Sequence, residues 1–415
     1  MDHTFVIVGA SLAGGKAAET LREEGYDGQV VLVGAEAERP YERPPLSKDL
    51  LLGKGERDQV YLHPPEWYDA HGVELRLGTP VTVLDPTGHF VELAGERILY
   101  DKLLLATGSV PRTLDVPGAD ADGVLYLRTL ADAERIGAVL REGARLVVVG
   151  AGWIGLEVAA AGRQHGVAVT VVEQAALPLQ RVLGDEVARV FADLHRGHGV
   201  DLRFGTWVSR IVAEQGRVAA VVLADGTELP ADAVVVGVGV RPVTELATAA
   251  DLAVDDGVLV DAALRSSNPD IFAAGDVANV DHPLFGRRIR VEHWANALHG
   301  GPAAARSMLG QDVVYDAVPY FFTDQYDLGM EYAGYVAPGG YDEVVFRGAP
   351  PEPGSGVAGE FIAFWLAGGR VLAGMNVNVW DVTDAIQALV RSGRPVDPAR
   401  LTDPAVPLES LAAPG

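Results

Sequence analysis

Cysteine is absent from all 415 residues. Disulfides, thiolate catalysis and ligation of an iron–sulfur cluster by this chain's own sulfurs are therefore excluded. No run of about 18 apolar residues occurs, so nothing reads as a membrane-spanning helix. Basic side chains are in deficit, with 33 Lys and Arg against 57 Asp and Glu, for a formal charge of −24. A field of that sign disfavours nucleic acid and anionic membranes as partners. A generic acidic surface explains it equally well. The apolar stretch 5–15 lacks the basic flank of a secretion signal and runs into a glycine turn. It reads as strand and loop, and the cytoplasm is the expected compartment.

What is present is length and glycine. A chain of 415 residues is long enough for two or three domains, each with its own core. Hydrophobic residues make up 48% and charged residues 22%, a globular balance, and many of the 49 glycines sit in strand-to-helix turns. The chain opens with the apolar run Phe5-Val6-Ile7-Val8, meets Gly9, and continues with a helical stretch at 14–24 and a second apolar run at 30–33. Strand, glycine turn, helix, strand is the βαβ unit of a parallel sheet. The same grammar returns with Leu146-Val147-Val148-Val149, a turn at 150–155, a helix at 154–165 and a strand at 169–172. Residues 115–129 carry Pro and Gly and read as a crossing between domains. Residues 201–236 read as strands with Gly-containing turns, and 271–275 as a short strand and turn. Beyond residue 316 come short aromatic-rich strands such as 361–365, with Gly368-Gly369 as a hairpin turn. A helix follows at 382–391, and the last few residues read as loose. The fold class expected is α/β, with two Rossmann-like dinucleotide-binding domains and a C-terminal α+β domain.

Three segments carry nucleotide chemistry. The turn Gly150-Ala151-Gly152-Trp153-Ile154-Gly155 has all three glycines of a dinucleotide fingerprint. The first permits the tight turn, the second lets a pyrophosphate approach the backbone, and the third lets helix and strand pack closely. The helix that follows offers free N–H groups and a positive dipole end to phosphate. Glu173, 18 residues after Gly155, stands where a carboxylate accepts from a ribose 2′-hydroxyl and repels a 2′-phosphate. That leans toward NADH over NADPH, tempered by Arg181 nearby. The competing reading is a tight turn without nucleotide. The first turn, Gly9-Ala10-Ser11-Leu12-Ala13-Gly14, is weaker, with Ser11 at the second glycine position and Glu36 22 residues past Gly14. In the third segment an apolar strand runs into Gly275-Asp276, where the Gly allows close backbone approach and the Asp can bond a sugar-like chain. A simple turn is the alternative.

These pieces occur in order with Ala106-Thr107-Gly108, and together they resemble the two-dinucleotide-domain flavoproteins. The segment Arg39-Pro40-Tyr41-Glu42-Arg43-Pro44-Pro45-Leu46-Ser47-Lys48 narrows the resemblance to the ferredoxin reductases of oxygenase systems. Ile154-Gly155-Leu156-Glu157, Val291-Glu292-His293-Trp294-Ala295-Asn296-Ala297 and Thr323-Asp324-Gln325-Tyr326 match as well. The resemblance covers essentially the whole chain. It implies FAD and NAD as cofactors, an FAD domain at 1–114 and 245–315, an NAD domain at 115–244 and a C-terminal domain at 316–415. It also implies roles. Gly9, Ser11, Ala13 and Gly14 would lie along the FAD pyrophosphate, Glu36 near its ribose and Val81 near adenine. Arg43, Ala106, Thr107, Gly108, Arg128, Gly275 and Glu292 would help hold FAD, and His293 would either approach the flavin or serve in the core or rim. Asp276 would bond the ribityl chain, Trp294 the isoalloxazine side, and Phe322 would lie toward the ferredoxin. Gly150, Gly152, Ile154, Gly155, Glu157, Glu173, Arg181 and Gly239 would serve NADH. Lys48 would sit near flavin N5, paired with Glu157.

Chemistry supports a role for Lys48, because a cation near N5 stabilises negative charge on a reduced flavin, and a buried cation needs a carboxylate partner. A solvated surface pair is the alternative. In a flavoprotein, the missing cysteines also exclude a redox-active disulfide. His195 and His198 lack a nearby carboxylate to complete a metal site and read as a solvated helix end. Trp365, Trp380 and Tyr320-Phe321 read as core. Arg287, Arg288 and Arg290 are either a docking patch for an acidic ferredoxin or a solvated turn. The expected activity is electron transfer from NADH through FAD to a ferredoxin serving a haem monooxygenase or dioxygenase. The alternatives are an NADH oxidase or quinone reductase and a redox-sensing flavoprotein of the apoptosis-inducing type. Monomer and homodimer stay open.

Overall fold

The computed structural model describes residues 3–412, and the loose end expected at the extreme C-terminus falls partly outside them. The chain divides into two compact units, Met1–Arg43 with Arg57–Val110 and Val240–Pro319, and Pro44–Glu56 with Pro111–Gly239 and Tyr320–Gly415.

The first unit is built on a five-stranded parallel sheet in the order Ile271–Ala273, Lys102–Leu105, Thr4–Val8, Gln29–Val33, Val73–Arg76. Its central strands are near-continuous Val, Ile and Leu because both faces are covered: Val6, Ile7, Val30, Leu32, Leu103 and Leu104 are all fully buried. The helix Leu12–Glu23 follows the first strand and packs on the helix Trp294–Met308. Small residues bring these helices close, since a Cβ on Gly301 would stand 2.2 Å from the Ala13 carbonyl oxygen. Two three-stranded sheets complete the unit, Val81–Asp85 with Phe90–Leu93 and Glu96–Leu99, and Val258–Val260 with Ala278–His282 and Arg287–Arg290.

The second unit repeats the plan. Its parallel sheet runs Asp201–Phe204, Ala168–Glu173, Arg145–Val149, Ala233–Val236, Val124–Tyr126. The helices Trp153–Gln164 and Gln180–Gly197 follow the strands that end at Val149 and Glu173. After residue 319 comes an antiparallel sheet in the order Tyr320–Gln325, Leu328–Gly334, Arg370–Val377, Glu360–Ala367, Glu343–Ala349, on which the helix Thr383–Ser392 packs. Trp365 fixes that sheet in the unit: it is fully buried, and its indole N–H donates to the Leu183 carbonyl at 3.1 Å.

Three expectations need correction. His195 is not solvated but fully buried, because Val187, Phe191 and Leu194, past the break at Gly184, carry it onto the apolar stripe of its helix. Trp380 is not core. It is 53% exposed and closes over Gly329, where a Cβ would meet the indole at 2.5 Å. Arg290 is not available as part of a docking patch, since its side chain is inward-facing and bonded to Glu292 at 2.6 Å and Asp256 at 3.2 Å. Among the described residues no helix is long and apolar enough to cross a membrane, and no cluster of three or more His, Asp or Glu could hold a metal ion.

Candidate functional site

In each unit the glycine turn sits at the carboxyl end of a central strand, where the strand order reverses. Ligands of open parallel sheets bind at such points. In the first unit Gly9 (φ +123°) ends the strand Thr4–Val8 beside Ala106, and an added Cβ would stand 2.0 Å from the Ala106 carbonyl oxygen. Gly14 lies against Gly9, with only 1.9 Å for a Cβ. Ser11 is the N-cap of the helix and makes no side-chain cap bond. The first-turn N–H groups of that helix are therefore uncapped by the Ser11 side chain, and groups of this kind can bond a phosphate.

Around this turn the other named residues of the first unit gather. Gly275 (φ +76°) lies against Ala13 and Ala297. Asp276 is buried and accepts from the Ser109 hydroxyl at 2.6 Å. Thr107 donates to the Val243 carbonyl at 2.7 Å, and Val243 N–H bonds the Gly108 carbonyl at 2.9 Å, pinning that loop. Glu36, three residues past its strand, pairs with Arg43 at 2.8 Å and accepts from the Tyr41 hydroxyl at 2.5 Å. Val81 starts an edge strand on the same core. His293 caps the helix that Trp294 begins. Burial pushes the His293 pKa down to about 4, against the pull of Asp276. Burial raises the Glu292 carboxyl, opposed by Arg290, and raises that of Glu42, opposed by its bond to Trp294.

The second unit holds a cleft of about 600 Å³ lined by Gly150, Gly152, Trp153, Glu173, Arg181 and Gly239. Gly150 (φ +100°) has the Gly237 carbonyl 2.3 Å from an ideal Cβ, and Gly155 has that of Gly150 at 2.2 Å. Glu173 is held at its strand end by two backbone donors, Ala151 N–H to Oε2 and Ala175 N–H to Oε1, each at 2.8 Å. Arg181 is exposed on the cleft wall. Ile154 lies outside the cleft lining and is 40% exposed.

One turn further along that helix, Glu157 is buried at 5% exposure and carries a cluster of donors. Lys48 Nζ lies 2.8 Å from its Oε1, the Thr323 hydroxyl donates to Oε1 at 2.5 Å, and the Ser47 hydroxyl donates to Oε2. Lys48 Nζ also stands 5.2 Å from the centroid of the Phe322 ring. Arg128, half-buried, precedes Thr129, which closes a capping box with Asp132. Sequence reasoning assigned no role to Ser47, Ser109, Thr323 or Gln325, whose partners lie more than a hundred residues away. For Ser47, Thr323 and Gln325 the one available signal was membership in segments already singled out.

Residues 3–301 match the model of the pyridine nucleotide-disulphide oxidoreductases, and residues 320–412 that of the reductase C-terminal region. The chain therefore belongs to the pyridine nucleotide-disulphide oxidoreductase family. It is an oxidoreductase of FAD and a pyridine nucleotide. It is 42% identical to the anthranilate 1,2-dioxygenase system ferredoxin–NAD(+) reductase component of Burkholderia cepacia, over 98% of each chain. It is 40% identical to putidaredoxin reductase of Pseudomonas putida, over 99% of this chain and 97% of that one. Among solved structures it superposes on the covalent putidaredoxin reductase–putidaredoxin complex with a TM-score of 0.93 at 38% identity, covering 99% of this chain and 98% of that one.

Proposed function

We propose that the chain takes a hydride from NADH onto FAD and passes the electrons to a ferredoxin that serves a haem monooxygenase or a dioxygenase. The observation that carries this reading is the doubled turn: each unit ends a central parallel strand in a glycine turn fit for a pyrophosphate. FAD is assigned to residues 1–114 and 245–315, NADH to 115–244, and the C-terminal part to 316–415. When bound, FAD supplies a two-electron hydride acceptor that also gives up electrons singly.

The chain's own residues bind, orient and tune. Gly9, Ser11 and Gly14 offer backbone N–H groups to the FAD pyrophosphate, and Asp276 bonds the ribityl chain. Glu173 accepts from the ribose of NADH. Its carboxylate, fixed by Ala151 and Ala175, repels a 2′-phosphate, so NADH is preferred over NADPH. Lys48 presents a cation where negative charge develops on the flavin, and Glu157 holds that cation in place. No cysteine is needed, because hydride transfer requires stacked rings rather than a protein nucleophile. The ferredoxin acceptor follows the two relatives, whose names specify a ferredoxin and a putidaredoxin. Arg287 and Arg288, both exposed, and Phe322 are the residues proposed to meet it. The cytoplasm is the compartment where such a reductase would meet its NADH.

The test is steady-state NADH oxidation with and without added ferredoxin. Turnover that rises with ferredoxin concentration and saturates is expected. Turnover no faster than in buffer would remove the acceptor from the proposal.

A further inference from the structure

The donors around Glu157 extend into a longer chain of bonds, all within the second unit. Thr323 donates to Glu157 Oε1 at 2.5 Å. Gln325, two residues along the same strand, donates from Nε2 to the Thr323 hydroxyl oxygen at 3.1 Å. The Gln325 amide oxygen faces Nε2 of His195 at 2.8 Å. The Tyr326 hydroxyl lies 3.4 Å from the other imidazole nitrogen, Nδ1. Thr323, Gln325 and His195 are each buried to 1% exposure or less.

Chemistry orders these bonds in one direction. An amide oxygen only accepts, so His195 donates from Nε2 and keeps Nδ1 as acceptor for Tyr326. That orients the amide, so Gln325 offers its NH₂ to Thr323. A hydroxyl carries one hydrogen. With Gln325 donating to it, the Thr323 hydrogen points at the Glu157 carboxylate. If the amide were reversed, Thr323 would donate to Gln325 and turn a lone pair toward that carboxylate. His195 thus decides, three bonds away, whether Glu157 receives a donor. Burial, with His198 alongside, pushes the His195 pKa down to about 4, so the ring is neutral and single-donor at working pH.

We propose that His195 is a positioning residue that, through the Gln325 amide and the Thr323 hydroxyl, fixes the Glu157 carboxylate against Lys48. The inference rests on the reading of Lys48 and Glu157 as the pair that tunes the flavin. Without the Thr323 donor, the carboxylate draws more of the Lys48 charge to itself and leaves less for the reduced flavin.

The test measures the flavin midpoint potential and the rate of flavin reduction by NADH in four variants of the holoenzyme. Thr323→Val and His195→Leu are each expected to slow reduction roughly tenfold, the scale of one hydrogen bond to a charged group. The same factor moves the potential negative by roughly 30 mV for a two-electron couple. Thr323→Ser and His195→Gln keep the donors and stay within about twofold of the parent. If Thr323→Val acts while His195→Leu does not, or if neither acts, the relay is overturned. It is also overturned if the conservative variants lose as much as the disruptive ones, since that is packing alone. Should His195→Leu fail to fold, Gln325→Met breaks the chain in its middle and is read by the same criteria. If the parent protein binds no FAD or ignores NADH, the proposed function fails. Nitrogen NMR of His195 then judges the relay by itself, a ring protonated at Nε2 supporting it and one protonated at Nδ1 overturning it.

Discussion

In the first turn an added Cβ at Gly9 would stand 2.0 Å from the Ala106 carbonyl, and in the second a Cβ at Gly150 would stand 2.3 Å from that of Gly237. Gly14 and Gly155 repeat the match, each pressed on the carbonyl of the turn's own first glycine at 1.9 and 2.2 Å. The turns part company at the middle position, with Ser11 in one and Gly152 in the other. At Gly152 an added Cβ would meet nothing within 4 Å. The outer glycines are therefore required by the fold, whereas the fold makes no such steric demand at the middle one. A serine at that position is compatible with an unaltered backbone turn, and any cost falls on the ligand.

The comparison breaks first at the outer positions. Gly9→Ala, Gly14→Ala and Gly155→Ala each drive a Cβ into backbone, and each is expected to cost about 3 kcal/mol or more. Thermal melting of the purified variants reads this, and parent-like melting would refute the steric argument. The next largest effect concerns one histidine in each unit. Burial depresses His195 and His293 from 6.5 to about 4. Between those values the unfolded chain binds a proton that the native state refuses. Stability is therefore full above pH 6.5, falls as the pH drops toward 4, and levels off below. For His195 the loss is about 3 kcal/mol. It is smaller for His293, which is partly open to solvent. Melting of His195→Gln across that window is expected to show a shallower slope than the parent, and an equal slope would contradict the assignment.

Two smaller effects separate ligand from fold. Glu173→Arg removes a carboxylate and supplies a cation, and is expected to raise the NADPH-to-NADH ratio of kcat/KM roughly tenfold. An unchanged ratio would remove Glu173 from the ribose site. Gly152→Ala is expected to cost under about 1 kcal/mol of stability while raising KM for NADH roughly tenfold. Its counterpart, Ser11→Gly, is expected to change FAD affinity by less than about threefold. If instead Gly152→Ala unfolded the protein, the division between fold and ligand positions would be wrong.

Both glycine turns were legible in the sequence because the steric demand is local: a strand, a positive-φ residue and a helix start leave a fixed spacing of small residues. The parallel sheets were legible for a related reason, since strands covered on both faces read as unbroken apolar runs. Around Glu157 only the pairing with Lys48 was reached, and that through the family resemblance, whereas Ser47 and Thr323 were not, because all three meet Glu157 across more than a hundred residues of chain. The position of Thr323 depends on the register of the C-terminal sheet, which local pattern does not specify. His195 was misread although its signal was local. Helical spacing from Val187 and Phe191 points it inward, and its polar character outweighed that spacing. Arg290 was misread because charge was counted along the chain, while its partners Asp256 and Glu292 surround it in space.

The central claim, hydride transfer from NADH onto bound FAD, is tested most directly by titrating the purified protein with NADH under anaerobic conditions and following its absorbance. The account predicts flavin bands that bleach with one equivalent of NADH and with NADPH only at far higher concentration. A colourless protein, or flavin bands that ignore both nucleotides, would contradict it.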